Sequence, residues 1–152
     1  MKENSIIKSS IMITLIIIFS AVSVNAQDWQ TDFEKSKNIA EKDNKVIILV
    51  FQGSDWCAPC IKLEREIWAT PEFMKYAEQH FVMHKADFPR KKKNKLDPKT
   101  EEANKKLADK YNTKGYFPFV AIIDKDGKML GEMGYKKVSP KEYIKHLESF
   151  IQ

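Results

Sequence analysis

The sequence predicts an α/β domain, a central mixed sheet of about four to five strands flanked by helices on both faces. Three observations predict it. After its lysine, the run Lys45-Val-Ile-Ile-Leu-Val-Phe51 is continuously apolar and rich in β-branched residues, as a strand buried on both faces should be. Segments of helical period alternate with shorter strand-like runs, the sequence pattern of sheet and helix layers packed together. Near the end, Asp126-Gly127 separates two runs of strand length, which is a hairpin signal and adds an antiparallel pair.

The first 26 residues are set apart from the fold. Lys2 and Lys8 precede the apolar run Ile11 to Val24, which has the length of a signal-peptide core and is short for a membrane span. Val24-Asn25-Ala26 supplies small residues at the cleavage positions, so residues 1–26 are expected to be a cleaved signal peptide and residues 27–152 a single domain. The alternative is a retained anchor. Export places the protein in the periplasm or outside the cell. The chain of 152 residues carries 26 Lys and Arg against 21 Asp and Glu, a formal charge of +5. Much of this excess sits in Arg90-Lys91-Lys92-Lys93-Asn94-Lys95, a local basic stretch of the kind usually found on a solvated surface. With export, it argues against nucleic acid as a partner. No linker or internal repeat marks a second domain, and the chain is expected to act as a monomer.

Taken in order, Trp29, Phe33, Ser36 and Ala40 fall at helical spacing, predicting a first helix over about Thr31 to Lys42. The strand Lys45 to Phe51 follows, then a turn and a helix from about Cys57 to Trp68, with Cys60, Leu63 and Ile67 on one face. Thr70-Pro71 restarts a helix, threonine as cap and proline at the first helical position. His80 to Ala86 alternates weakly and reads as a second strand. Asp87 to Lys99 is polar, basic and twice interrupted by proline, hence a surface excursion. Thr100 to Tyr111 returns to helix, and Phe119 to Asp124 and Met129 to Gly134 are the hairpin strands. Ser139-Pro140-Lys141-Glu142 has the spacing of a capping box, and Tyr143, Ile144, Leu147, Phe150 and Ile151 line one face of a terminal helix.

Both cysteines lie in Gly53-Ser54-Asp55-Trp56-Cys57-Ala58-Pro59-Cys60, between the buried strand and the next helix. An exported pair of cysteines points to a disulfide. A ring this small, however, stabilises the fold by only about 2 kcal/mol in the chain-entropy account, so stability is a poor reason for it. Redox chemistry is a better one. At a helix N-terminus the thiolate of Cys57 is favoured by unpaired N–H groups and the helix dipole, and Cys60, one turn on, can attack a mixed disulfide formed there. Pro59 stiffens the turn, and Trp56 shields the pair and shapes a substrate's approach. Zinc is the usual rival of Cys-x-x-Cys, but it wants four ligands, and His80 and His84 fall on a predicted strand. A cuprous site on two thiolates is the remaining metal reading, and with it a non-catalytic module that binds copper(I) or a thiol protein. The second notable element is Gly115-Tyr116-Phe117-Pro118-Phe119, a proline directly before a strand: either a cis peptide or the trans start of an edge strand.

Together, Trp56-Cys57-Ala58-Pro59-Cys60, Gly115-Tyr116-Phe117-Pro118, Asp126-Gly127-Lys128 and Gly134-Tyr135 resemble the thioredoxin family. More narrowly, the chain is similar to exported thioredoxin-like proteins with a Gly-Ser-x-Trp-Cys-x-x-Cys site and to the C-terminal domain of the bacterial transmembrane disulfide reductase. The resemblance covers essentially residues 27–152. It implies a thioredoxin-like fold and a thiol-disulfide oxidoreductase, more a reductase than an oxidant, with Cys57 and Cys60 as redox pair and disulfide. It further implies a cis Pro118 facing them and a Phe117 backbone that pairs with the partner protein. Such an enzyme exchanges disulfides without a metal or organic cofactor, and as a reductase it requires an electron donor, a membrane-embedded thiol carrier, since the envelope contains no obvious small reductant. Two departures stand out. The strand before the site, Val50-Phe51-Gln52-Gly53, lacks the buried acid of many thioredoxins, leaving Asp55 or Glu64 to replace it, and Phe117 is bulkier than the usual residue before the cis-proline.

Overall fold

The computed structural model describes residues 27–151, so the expected signal segment lies outside the described residues. Their order is β1 (Trp29–Gln30), α1 (Phe33–Asp43), β2 (Val46–Gln52), α2 (Ala58–Leu63) running into a π turn (Glu64–Trp68), α3 (Pro71–His80), β3 (Phe81–Asp87), a short 3-10 turn (Lys92–Asn94), α4 (Pro98–Tyr111), β4 (Phe119–Ile123), β5 (Met129–Met133) and α5 (Pro140–Glu148). The strands form one mixed sheet in the order β1-β3-β2-β4-β5. β1, β3 and β2 are parallel, and β4 and β5 join antiparallel.

β2 lies at the centre because both its faces are apolar. Ile48 and Val50 pack toward α2, the π turn, α3 and α5, with Leu63, Ile67, Trp68, Phe73 and Tyr143. Ile47, Leu49 and Phe51 face the opposite core, with Ala40 of α1 and Leu107 and Tyr111 of α4. Two hydrophobic cores therefore sit back to back across the sheet. The helices start where side chains can accept their first N–H groups: Asp32, Thr70, Asp97 and Ser139 each do so, and the last completes a capping box with Glu142. Pro71, Pro98 and Pro140 occupy the first turns of α3, α4 and α5, where no intrahelical donor is required.

Several elements differ from expectation. Trp29, read at helical spacing with Phe33, Ser36 and Ala40, belongs instead to a two-residue strand beside β3 that the sequence pattern does not predict. A pair of residues is too short to carry a period, and the ring of Trp29 stands nearly perpendicular to that of buried Trp68. The expected helix Cys57 to Trp68 is interrupted: Ala69 N–H donates to Glu64 O at 2.8 Å, one residue further back than in an α-helix. The extra residue lets Ile67 and Trp68 both be fully buried, where Trp68 meets Phe73 and Tyr143 edge-on. His80 closes α3 instead of opening β3. Phe150 and Ile151 lie past the end of α5, the first half-buried against the core and the second exposed, so Tyr143, Ile144 and Leu147 alone form the helix's buried face.

Candidate active site

The two cysteines owe their position to how β2 ends. Gly53 follows it, and its carbonyl accepts from Trp56 N–H (3.3 Å) and Cys57 N–H (2.9 Å), folding the chain into a tight turn. The Trp56 indole packs directly against Gly53, where a Cβ would come within 2.3 Å of it. From there α2 begins with Cys57 as its N-cap, the Sγ accepting Cys60 N–H at 3.3 Å. Cys57 and Cys60 form a disulfide with a Cα separation of 5.2 Å. Both are nearly covered, at 4% and 3% exposure. Pro59 is exposed in the first turn of α2, where its missing donor costs no hydrogen bond.

Pro118 enters from the other side of the turn. β4 pairs with β2 so that Phe119 opposes Phe51, which brings Pro118 to the level of Gln52, beside the Gly53 turn. The Phe117–Pro118 peptide is cis, and the Phe117 ring lies 5.5 Å from Trp56. Gly134 admits the backbone of Pro118, whose carbonyl would be 3.4 Å from a Cβ at that position. Asn112, buried at the end of α4, fixes the segment before the proline. Its Oδ1 accepts Tyr116 N–H and its Nδ2 donates to Tyr116 O, at 3.0 and 2.9 Å. This residue is invisible to motif reading, since its only sequence signal is that of a helix end.

The basic stretch is built into the site. Ser54 N–H and Oγ donate to Asp87 at 2.9 and 2.6 Å. The Asp55 carboxylate accepts from Arg90 N–H, Lys91 N–H and Asn94 Nδ2 at 2.8 to 2.9 Å. The Arg90 N–H contributes most, with Asn94 and Lys91, to holding the Asp55 carboxyl below its ordinary range. Trp56 Nε1 donates to Phe88 O at 2.8 Å, and the Arg90 guanidinium lies 3.7 Å from the indole centroid. Phe88 meets Phe117 edge-on, closing an aromatic group of Trp56, Phe88 and Phe117 beside the cysteines.

Of the two acids considered for the missing buried carboxylate, Asp55 is thus committed to the loop. Glu64 stands one turn after Cys60, its N–H donating to Cys60 O. Its Oε2 is 3.5 Å from Lys85 Nζ and otherwise buried without a hydrogen bond among the described residues. His80 and His84 are engaged elsewhere: His80 stacks on Tyr76, and His84 Nδ1 meets Ser36 Oγ at 2.8 Å. Among the described residues no three His, Cys, Asp or Glu side chains gather around a possible metal ion.

Residues 33–151 match the family model described as a thioredoxin-like domain. The disulfide bond reductase DsbH of Chlamydia pneumoniae is 33% identical over 124 residues, 82% of this chain and 72% of that protein. A solved structure of a DsbH oxidoreductase superposes with a TM-score of 0.77 at 31% identity, over 84% of this chain and 85% of the other. The oxidised C-terminal domain of Neisseria meningitidis DsbD, at 21% identity, shares the fold with a TM-score of 0.51, over 77% of this chain and 90% of its own. The chain belongs to the thioredoxin-like domain family, with Cys57 and Cys60 as its redox pair.

Proposed function

We propose that this thioredoxin-like oxidoreductase works outside the cytoplasm as a reductase of protein disulfides. The observation that carries the reading is the position of Cys57 as N-cap of α2, its sulfur accepting the Cys60 N–H. A thiolate there gains a hydrogen bond and the positive end of the helix. The likeness to a disulfide bond reductase supports the direction.

In the forward reaction the Cys57 thiolate attacks one sulfur of a substrate disulfide, and the other leaves as a thiolate that takes up a proton. Cys60, deprotonated in turn, attacks the Cys57 sulfur, releases the second substrate thiol and closes the Cys57–Cys60 disulfide. Two electrons have passed to the substrate. Trp56, Pro59 and Phe117 are the surfaces a substrate meets, with Pro118 buried beside them, and the Phe117 backbone offers it strand pairing. No metal or organic cofactor takes part. A membrane-embedded dithiol carrier returns the electrons, and the segment 1–26 directs the chain across the membrane before removal.

The test is the equilibrium potential of Cys57/Cys60 in graded thiol buffers, followed by thiol trapping. A value near about −270 mV supports a reductase, one near about −120 mV a disulfide donor, and the absence of a reversible two-electron transition removes the enzymatic reading altogether.

A further inference from the structure

The five bases of the loop, Arg90, Lys91, Lys92, Lys93 and Lys95, are exposed, and none forms a salt bridge among the described residues. Lysines on a loose loop would be ordinary solvated charges. Here the loop is fixed at three points to the turn that carries Cys57: Ser54 to Asp87, the Asp55 carboxylate to the Arg90 and Lys91 amides and Asn94, and Trp56 to Phe88 and Arg90. None of these contacts uses a lysine side chain, which leaves the lysine ammonium groups free. Of the nearby acids, Asp55 and Asp87 are occupied in holding the loop and Asp97 in capping α4. The Phe88 end of the loop reaches Phe117, so the basic rim is continuous with the aromatic floor beside the cis-proline.

We infer that this loop is a specificity surface of the redox site, and that it selects protein partners carrying acidic residues close to the reacting cysteine. The inference rests on the thiol-disulfide exchange proposed above and names the class of its substrate. A partner segment lying along Phe117 places its flanking side chains against fixed cations, whose attraction raises the encounter rate without altering the exchange step.

The test uses reduced purified protein and three peptide disulfides of equal length, with Asp and Glu, Asn and Gln, or Lys and Arg beside the cysteines, at low and high salt. Neutral 2-hydroxyethyl disulfide serves as the small reference. The acidic peptide is expected to react roughly tenfold faster than the neutral one at low salt, with the ratio collapsing at high salt. In the variant Lys91→Gln/Lys92→Gln/Lys93→Gln/Lys95→Gln, which keeps Arg90 on Trp56, the acidic-to-neutral ratio should fall close to one. Equal rates for the three peptides in the native protein overturn the inference, as does a ratio that the variant preserves. Retention on anionic lipid vesicles through these lysines, without an acidic-peptide preference, also overturns it and assigns the loop to a membrane surface. Failure of the native protein to reduce the small reference disulfide is a different result and rejects the exchange chemistry itself.

Discussion

Cys57 and Cys60 are nearly equally buried yet differently placed, and their substitutions should differ in kind. Cys57→Ser is expected to abolish exchange, whereas Cys60→Ser should accumulate a mixed disulfide with a peptide substrate, detectable by mass spectrometry. Glu64, one turn after Cys60 and with an Oε2 that has no hydrogen bond among the described residues, is the acid to test in the second half of the reaction. Glu64→Gln should leave formation of the mixed disulfide intact and slow its resolution; equal slowing of both steps would give Glu64 a structural role instead. His84 makes a separate prediction. Burial lowers its pKa from 6.5 to about 4, with Asp32 opposing, and its Nε2 has no hydrogen-bond partner among the described residues. The unfolded chain therefore takes up this proton first as pH falls. The stability due to neutral His84 is complete above about pH 6.5, declines through the window from 6.5 to 4, and amounts to about 3 kcal/mol. Urea midpoints measured through this window should fall in the native protein and stay flatter in His84→Gln.

Among the elements, those with strong local causes are legible in the sequence. β2 is legible because it is apolar on both faces, α3 and α5 because Thr70 and Ser139 cap them, and the hairpin because Asp126-Gly127 sits between two strand-length runs. Cys57 and Cys60 are legible by spacing, whereas the residues around Pro118 leave a cis peptide and a trans edge start equally open and the family resemblance selects the cis form that the structure has. β1 is hidden because its two residues depend on pairing with Met83 and His84 rather than on any pattern of their own. The π turn is hidden because the burial of Trp68, a tertiary event, chooses it over a regular helix. Most consequential, Arg90 to Lys95 reads as an ordinary basic loop, since nothing local says that Asp55, 35 residues before Arg90, will bind its amides. Two substitutions test that tie. Asp55→Ala should make tryptic cleavage within the loop several-fold faster, and Gly53→Ala, whose Cβ would strike the indole, should shift the fluorescence of Trp56 and loosen the same loop.

At the scale of the molecule, two cores meet at a single sheet, and the aromatic packing of one determines how much disruption it tolerates. Trp68→Ala removes the ring shared by Trp29, Phe73 and Tyr143, and should lower unfolding free energy by about 3–5 kcal/mol in urea titration. The redox turn stands where both cores end: the buried helix face of Leu63 and Ile67 belongs to one, and Phe88 and Phe117 pack on the other. The cysteines are thus surrounded by structure that exists only in the folded chain. Folding and electron transfer then form one thermodynamic cycle, in which the oxidised and reduced proteins differ in stability by as much as folding displaces the potential of the cysteine pair. Every 1.4 kcal/mol between their two denaturation curves corresponds to about 30 mV, so a pair of unfolding experiments serves as a potentiometer for this protein.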